Sequence, residues 1–166
     1  VQESAFRCQL RFAHERQLPV ELHLRDGEDD TAAHDLAIRV LREEGVPERG
    51  CDLHCFTQSL EVMAPFVELG CHIAFGGAVT FRRSDDIRSA ACACPKNLLL
   101  SETDSPYMAP VPLRGWECEP AMVAFSAALL ADVRKATLDA PREETYRALW
   151  ENAYTLFGLS PMCAAG

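Results

Sequence analysis

The segment Val20-Glu21-Leu22-His23 is a short apolar run that ends in a side chain able to bind metal, and three later segments repeat this plan. The three are Cys51-Asp52-Leu53-His54, then His72-Ile73-Ala74-Phe75-Gly76-Gly77, then Leu98-Leu99-Leu100-Ser101-Glu102-Thr103-Asp104. A stretch with helical character follows each segment. Strands that alternate with helices predict a parallel sheet with helices packed against it.

Three of the predicted strand ends carry residues suited to metal chemistry. In parallel α/β folds, ligands and catalytic groups collect at the carboxyl ends of the strands. Those ends hold His23, His54 and Asp104. Two imidazoles and a carboxylate on neighbouring strand ends suit a divalent cation that activates water. A single histidine at a strand end more often satisfies buried carbonyl groups, so the prediction depends on all three occurring together.

The remaining elements follow from apolar periodicity and from the positions of proline and glycine. We predict strands over 20–24 and 51–56, and helices over 2–17, 31–44, 60–69, 85–94, 119–136 and 142–157. Thr31 is a plausible N-cap for the second helix. Gly76-Gly77 marks a place where the backbone turns tightly or another group approaches closely. The loop from Ser105 to Cys118 is too long for a bare connector, so we expect it to shape a site.

We predict one domain over residues 1–166, because no low-complexity tract or linker interrupts the pattern. The chain has 166 residues and is 48% hydrophobic, which is enough to bury one sizeable core. Four strand–helix units make half of an eight-unit barrel, and a full barrel needs ~250 residues. A half barrel leaves two strand edges unpaired, and unpaired edges favour association with another chain.

The charge and hydropathy of the chain limit its partners. The net charge is −9, which argues against a broad basic surface that grips nucleic acid through many phosphates. A phosphate-ester substrate stays compatible, because a bound cation can supply local positive charge. The apolar runs are too short to span a bilayer, and no charged-then-apolar leader opens the sequence. We therefore expect a soluble, cytoplasmic protein with no membrane partner.

The eight cysteines invite a disulfide framework, but most of them lie within apolar segments of a chain that is not small. They are Cys8, Cys51, Cys55, Cys71, Cys92, Cys94, Cys118 and Cys163. Buried reduced thiols are the better interpretation. Cys92-Ala93-Cys94 and the Cys51–Cys55 spacing leave a zinc knuckle open, although neither has the paired C-x-x-C spacing of structural zinc sites.

Several motifs resemble the TatD family of metal-dependent deoxyribonucleases, in the family's order and over nearly the whole chain. The first is Leu18-Pro19-Val20-Glu21-Leu22-His23-Leu24-Arg25-Asp26, which is similar to the family's H-x-R-D strand. The middle motifs are His54-Cys55-Phe56-Thr57-Gln58-Ser59, then Phe75-Gly76-Gly77-Ala78-Val79-Thr80-Phe81, then the stretch from Glu102-Thr103-Asp104 to Arg114-Gly115. The last is Asn152-Ala153-x-x-Leu156-Phe157-Gly158, which is similar to the family's closing helix.

The resemblance implies a TIM-barrel-like α/β fold, with this chain as four C-terminal strand–helix units of a (β/α)8 metal-dependent hydrolase barrel. It implies an enzyme that hydrolyses phosphodiester bonds, usually of DNA, with one to three divalent cations. His23, His54 and Asp104 would hold the metal, which would be Mg, Zn or Mn. Asp104 would also be the catalytic residue that orients or deprotonates the attacking water. DNA or a small phosphate ester is the expected substrate.

Three further residues are candidates for supporting the metal or binding substrate, namely Glu102, Arg25 and Arg114. Glu102 lies two residues before Asp104, so both point to the same face of a strand. Glu102 could orient a metal ligand from behind, or it could pair with Arg25 or Arg114. Arg25 and Asp26 could bind phosphate bidentately or form a structural ion pair.

The chain also departs from the family pattern. The family's H-x-H strand and its Glu-bearing strand do not occur, so the sequence resembles roughly the carboxy-terminal three-fifths of a member. His14 and His34 lie on predicted helices and do not replace the H-x-H pair. Where the family reads R-G-K-x-N-E-P, this chain reads Arg114-Gly115-Trp116-Glu117-Cys118-Glu119-Pro120. Trp116 and Tyr107 of this loop can stack on a base or pack within the loop.

Two other functions stay open at this stage. The first is a truncated, non-catalytic TatD-like paralogue that binds or oligomerises through its open barrel edges. The second is a different amidohydrolase-type esterase or deaminase, because a shared scaffold does not fix the substrate. His72 starts its strand, on the face of a barrel that serves stability, so we expect it to be structural.

Overall fold

A four-stranded parallel sheet organises the computed structural model, which describes residues 1–27 and 30–159. The strands are β1 (Val20–Leu22), β2 (Cys51–Leu53), β3 (His72–Phe75) and β4 (Leu99–Ser101). They lie in the order β1-β2-β3-β4, and every neighbouring pair is parallel. The predicted partial barrel of strand–helix units is therefore confirmed.

The described part of the chain forms six α-helices, and consecutive helices pack against each other. They are α1 (Gln2–Arg16), α2 (Ala32–Glu44), α3 (Leu60–Glu68), α4 (Asp85–Ala93), α5 (Val123–Leu138) and α6 (Arg142–Phe157). Short 3-10 turns occupy Gly77–Thr80, Lys96–Leu98 and Pro120–Met122. Among the described residues, no helix is long and apolar enough to cross a membrane.

The strands are shorter than predicted, because the backbone leaves the sheet just before the residues that carry chemistry. The predictions over 20–24 and 51–56 extended two and three residues too far, respectively. Cys55 has a φ of 51°, which breaks the extended conformation after His54. His23 and His54 therefore lie just beyond the ends of their strands, on the adjoining loops.

The apolar core lies between the helices and one face of the sheet. Alternate strand residues Leu22, Leu53, Ile73, Phe75 and Leu99 point into this core, and each is at most 5% exposed. The period of two is the expected consequence of strand geometry. Helix side chains complete the cluster, among them Leu10, Val40, Leu41, Phe66 and Leu130.

The opposite face of the sheet carries a polar row. Glu21, Asp52 and His72 are paired in register across β1, β2 and β3. Asp52 is only 3% exposed and its Oδ1 has no hydrogen-bond partner among the described residues. Burial, reinforced by the nearby charge of Glu21, raises the pKa of Asp52 to about 7. This face corresponds to the interior of a closed barrel.

The predicted N-cap position of the second helix is confirmed, but the Thr31 side chain makes no capping hydrogen bond. Thr31 occupies the position before α2, but its hydroxyl donates to Oδ2 of Asp35 at 2.9 Å and does not cap the helix. The carboxylate of Asp26 accepts the backbone N–H groups of Ala33 at 2.8 Å and His34 at 3.4 Å instead. An acceptor brought from the preceding loop thus satisfies the first turn of α2.

The described cysteines are free thiols, as predicted. Cys51, Cys71, Cys94 and Cys118 are buried, whereas Cys8 is exposed. Cys163 lies outside the described residues.

Candidate metal centre

The imidazole of His54 lies between two carboxylates at the carboxyl end of the sheet. Its Nδ1 is 2.8 Å from Oε2 of Glu102, and its Nε2 is 3.3 Å from Oδ1 of Asp104. The two acids follow β4 and the histidine follows β2, so they meet across the end of β3. This approach is possible because Gly76, the residue that follows β3, has no side chain. A Cβ at Gly76 would lie 2.0 Å from Oε1 of Glu102.

His23 completes the group of sequence-predicted residues. Its ring centroid is 5.6 Å from that of His54, and the two ring planes are inclined by 33°. His23 is exposed, whereas the side chain of His54 is 17% exposed. The structure therefore places His23, His54 and Asp104 at the same end of the sheet. Within residues 1–27 and 30–159, however, no three His, Cys, Asp or Glu side chains form a ready-made group that could hold a metal ion.

Glu102 is the most electrostatically unusual residue of this cluster. Burial raises its pKa, the adjacent imidazole of His54 opposes that effect, and the charges of Asp104 and Glu21 add to it. Both of its oxygens are buried, and neither accepts an aligned hydrogen bond from the described residues, despite the 2.8 Å approach of His54. A buried carboxylate without a donor is costly unless a cation balances it. The surplus of acceptors around His54 thus fits a divalent cation, and imidazole with carboxylate is a donor set that such ions accept.

The two predicted arginines do not join this cluster in the part of the chain that the structure describes. Arg114 lies with its guanidinium carbon 3.7 Å from the ring centroid of Phe81, and Arg25 is exposed. The alternative in which Glu102 pairs with either arginine was wrong, because its close neighbour is His54. An Arg25–Asp26 ion pair was also wrong, because the carboxylate of Asp26 turns inward to His34.

Sequence reasoning set His34 aside because it lies on a helix, and the structure shows that it has a buried acidic partner. Its Nδ1 lies 2.5 Å from Oδ2 of Asp26. The sequence does carry a signal for this pair. An acidic residue lies in the loop before the helix, and a histidine follows in its first turn. The expectation of a close approach at Gly76-Gly77 is confirmed, since a Cβ at Gly77 would lie 1.9 Å from the carbonyl oxygen of Met108.

Comparison with known proteins identifies the family. A family model described as TatD related DNase matches residues 1–158. The chain belongs to this family. It is 40% identical over 156 residues to the uncharacterized metal-dependent hydrolase YcfH of Escherichia coli K12, covering 94% of this chain and 55% of YcfH. It is 34% identical over 160 residues to the uncharacterized metal-dependent hydrolase YabD of Bacillus subtilis, covering 96% of this chain and 59% of YabD.

Solved structures agree with this assignment. The crystal structure of the TatD homologue YjjV from Escherichia coli superposes with a TM-score of 0.80 at 33% identity, over 92% of this chain and 54% of YjjV. A TatD family hydrolase from Entamoeba histolytica superposes with a TM-score of 0.76 at 18% identity, over 96% of this chain and 57% of its own, and shows the shared fold. The chain thus spans somewhat more than half the length of the TatD relatives it matches.

Proposed function

We propose that this polypeptide is part of a TatD-type hydrolase that cleaves phosphodiester bonds of DNA with metal-activated water. The observation that carries the proposal is the position of His54, whose two ring nitrogens face Glu102 and Asp104 at 2.8 and 3.3 Å, with His23 beside it. The names of the curated relatives, which describe metal-dependent hydrolases, support a divalent metal.

Each residue of the cluster has a distinct role in this proposal. His23, His54 and Asp104 would hold the cation, which would be Mg, Zn or Mn. When bound, such a cation lowers the pKa of water and polarises a phosphoryl oxygen. The side chain of Asp104 is 30% exposed, so its carboxylate can orient a water molecule and accept its proton. Glu102 lies behind His54 and fixes the orientation of its ring.

A basic patch near this end of the sheet suits the phosphate groups of the substrate. Arg82, Arg83 and Arg114 line an open cavity of about 580 Å³ together with Phe81 and Ser84. No ion pair joins these three arginines to a carboxylate within the described ranges. Unpaired guanidinium groups bind phosphate oxygens bidentately, and three of them offset the acidic balance of the chain locally.

Two aromatic residues of the loop after β4 support a nucleic-acid substrate over a small phosphate ester. Tyr107 and Trp116 are 69% and 70% exposed. Packing within the loop leaves most of both side chains in solvent, where a base can stack on them. We therefore favour DNA as the substrate, with a small phosphate ester as the simpler alternative.

Metal-dependent hydrolysis tests the proposal. The protein is incubated with single-stranded DNA and with bis(p-nitrophenyl) phosphate, in Mg²⁺, Mn²⁺ or Zn²⁺ and after chelation. Hydrolysis that requires metal and is abolished in the H23A/H54A/D104A variant supports the assignment. Hydrolysis that survives this triple substitution would overturn it. H72Q is the matched control, since it changes a histidine at the opposite end of a strand.

A second candidate function rests on the open edges of the sheet. Within the described residues, β1 and β4 each pair on one side only. Beside β1, the side chains of Phe6, Leu22 and Leu36 line a cavity of about 510 Å³. A non-catalytic chain could use these edges to form a homo-oligomer. Light scattering combined with a metal titration separates the two functions, because a dimer that binds no divalent cation would favour this candidate.

A further inference from the structure

A second carboxylate–imidazole pair lies next to the candidate metal centre, and the proposed reaction does not use it. Oδ2 of Asp26 is 2.5 Å from Nδ1 of His34. The two side chains are only 2% and 6% exposed, so solvent screens their interaction little. A pair this deeply buried is costly to desolvate, and replacing it with apolar side chains would often stabilise a protein. The attraction between the two side chains therefore does not by itself explain why the pair is present.

Asp26 joins three segments of the chain at once. It lies three residues after His23, on the loop that follows β1. Its Oδ1 accepts the backbone N–H of Ala33 at 2.8 Å, which attaches the loop to the start of α2. Its Oδ2 lies 3.5 Å from Nε2 of Gln58, four residues after His54 on the loop that follows β2. A single carboxylate thus contacts the two loops that carry the candidate metal-binding histidines.

His34 holds this carboxylate in place from the protein interior. The Phe56 and Phe66 rings stand nearly perpendicular to its imidazole, with ring centroids at 6.3 and 5.9 Å. These neighbours leave the ring little freedom to turn. His34 and His54 also line the same small cavity of about 10 Å³, close to the volume that one water molecule requires. The back of the metal centre and the Asp26–His34 pair are therefore adjacent.

We propose that Asp26 and His34 form a buried brace that sets the relative positions of His23 and His54, with His34 acting as a positioning residue for the metal centre. This inference rests on the proposed function, because it assigns the brace to that same centre. Residues that orient metal ligands from behind typically change metal affinity by about 10- to 100-fold when they are replaced. We expect the brace to fall within this range.

Two substitutions at one position separate a positioning role from a general structural one. H34L removes the donor to Asp26 and leaves an apolar side chain of similar volume. In H34N the side-chain amide keeps a donor near the position of Nδ1. Arg134→Met is the control, because it removes a buried residue that donates to the carboxyl end of α4, away from the strand ends. Its effect reports general destabilisation.

Two measurements are made on each protein: Co²⁺ affinity by absorption titration, and amide hydrogen exchange of residues 23–27 without metal. H34L should weaken Co²⁺ binding about tenfold or more and accelerate amide exchange in residues 23–27. H34N should retain most of the Co²⁺ affinity and most of the exchange protection. R134M should change neither the affinity nor the exchange. Unchanged amide exchange in H34L would overturn the brace. Equal losses of Co²⁺ affinity and of exchange protection in H34L and R134M would also overturn it. A wild-type protein that binds no Co²⁺ would instead count against the proposed function, and the exchange data alone would then decide on the brace.

Discussion

Glu102 occupies the space that any side chain at Gly76 would need. A Cβ built on Gly76 would lie 2.0 Å from Oε1 and 3.1 Å from the carboxyl carbon of Glu102. Gly76 has a φ of −97°, so its backbone conformation is open to every residue type. The need for glycine is therefore set by the neighbouring carboxylate and not by backbone strain.

Gly76→Ala should consequently displace Glu102 and, through it, His54. Overpacking of this kind costs about 1–3 kcal/mol of unfolding free energy. Chemical denaturation of G76A, E102A and the double variant forms a thermodynamic cycle, and we expect the cost of G76A to fall sharply when Glu102 is already alanine. The E102A background is the control, since it removes the atoms that the added Cβ would meet. Equal costs of G76A with and without Glu102 would contradict the steric conflict between these two residues.

The sequence predicts well which residues gather at the carboxyl ends of the strands, and predicts poorly where each strand stops and what the loop residues contact. His23, His54 and Asp104 come together because the carboxyl ends of parallel strands meet at one edge, which the alternation of elements already implies. The partner of Asp26 was missed because its side chain reaches the first turn of the next helix, and no local periodicity encodes a contact between a loop residue and a helix. The lengths of β1 and β2 were overestimated for a related reason, since apolar character continues beyond the residue at which the backbone turns.

Glu44 links α1 to α2 and makes the stability of that interface depend on pH. Its carboxylate accepts hydrogen bonds from Arg11 at 2.7 and 2.8 Å and from Arg7 at 3.1 Å. These bonds, that of Arg11 first, lower the pKa of Glu44 from 4.5 to about 2. A folded-state pKa below the unfolded value stabilises the protein above about pH 4.5, and the stabilisation is lost as the pH falls toward 2.

Glu44→Gln should therefore destabilise the protein at pH 7 and have a progressively smaller effect as the pH approaches 3. Urea denaturation of both proteins across this range measures the difference in unfolding free energy. The difference should also shrink in 1 M salt, because the pair is close to solvent. Glu119→Gln provides the control, since Glu119 forms no ion pair in the described part of the chain. A difference that stays constant with pH would show that the arginines contribute nothing specific.

Arg82 and Arg83 should contribute to substrate binding and not to bond cleavage. They line the open cavity beside Arg114, and in the described part of the chain no hydrogen bond or ion pair connects them to His54 or Asp104. In R82S/R83S we expect a higher KM for single-stranded DNA, an unchanged kcat, and a smaller dependence of binding on salt. Removing one arginine–phosphate interaction should reduce the slope of log K against log salt by about 0.7.

The matched control is R16S/R39S, which removes the same net charge from the helical surface. Its KM and salt dependence should remain those of the unmodified protein. If the two double variants raise KM equally, the effect arises from overall charge and the cavity is not a phosphate site. If R82S/R83S lowers kcat with KM unchanged, the two arginines act on the chemical step and not on binding.

Asn152 attaches the closing helix to the start of β4. Its Nδ2 donates to the carbonyl oxygens of Lys96 and Leu99, both at 2.8 Å, and the residue is 9% exposed. Two neutral carbonyl oxygens require a donor with two N–H groups, and the side-chain amide of asparagine supplies both without a charge. This arrangement explains an asparagine at this point of α6 by hydrogen bonding alone, independently of the metal centre.

Asn152→Asp keeps the shape of the side chain and replaces its donor with an acceptor. Asn152→Ala should lower the unfolding free energy by about 1–3 kcal/mol, because the two carbonyls lose their donor. N152D should cost more at pH 8, because an unpaired buried carboxylate faces two carbonyl oxygens. Protonation lets the introduced carboxyl donate one hydrogen bond, so its folded-state pKa is raised and the deficit should shrink as the pH falls toward 4. Urea denaturation at pH 4 and pH 8 measures the loss of unfolding free energy. Asn97→Asp is the control, because Asn97 is exposed. A loss in N152D that is equal at pH 4 and pH 8 would contradict the role of Asn152 as a donor.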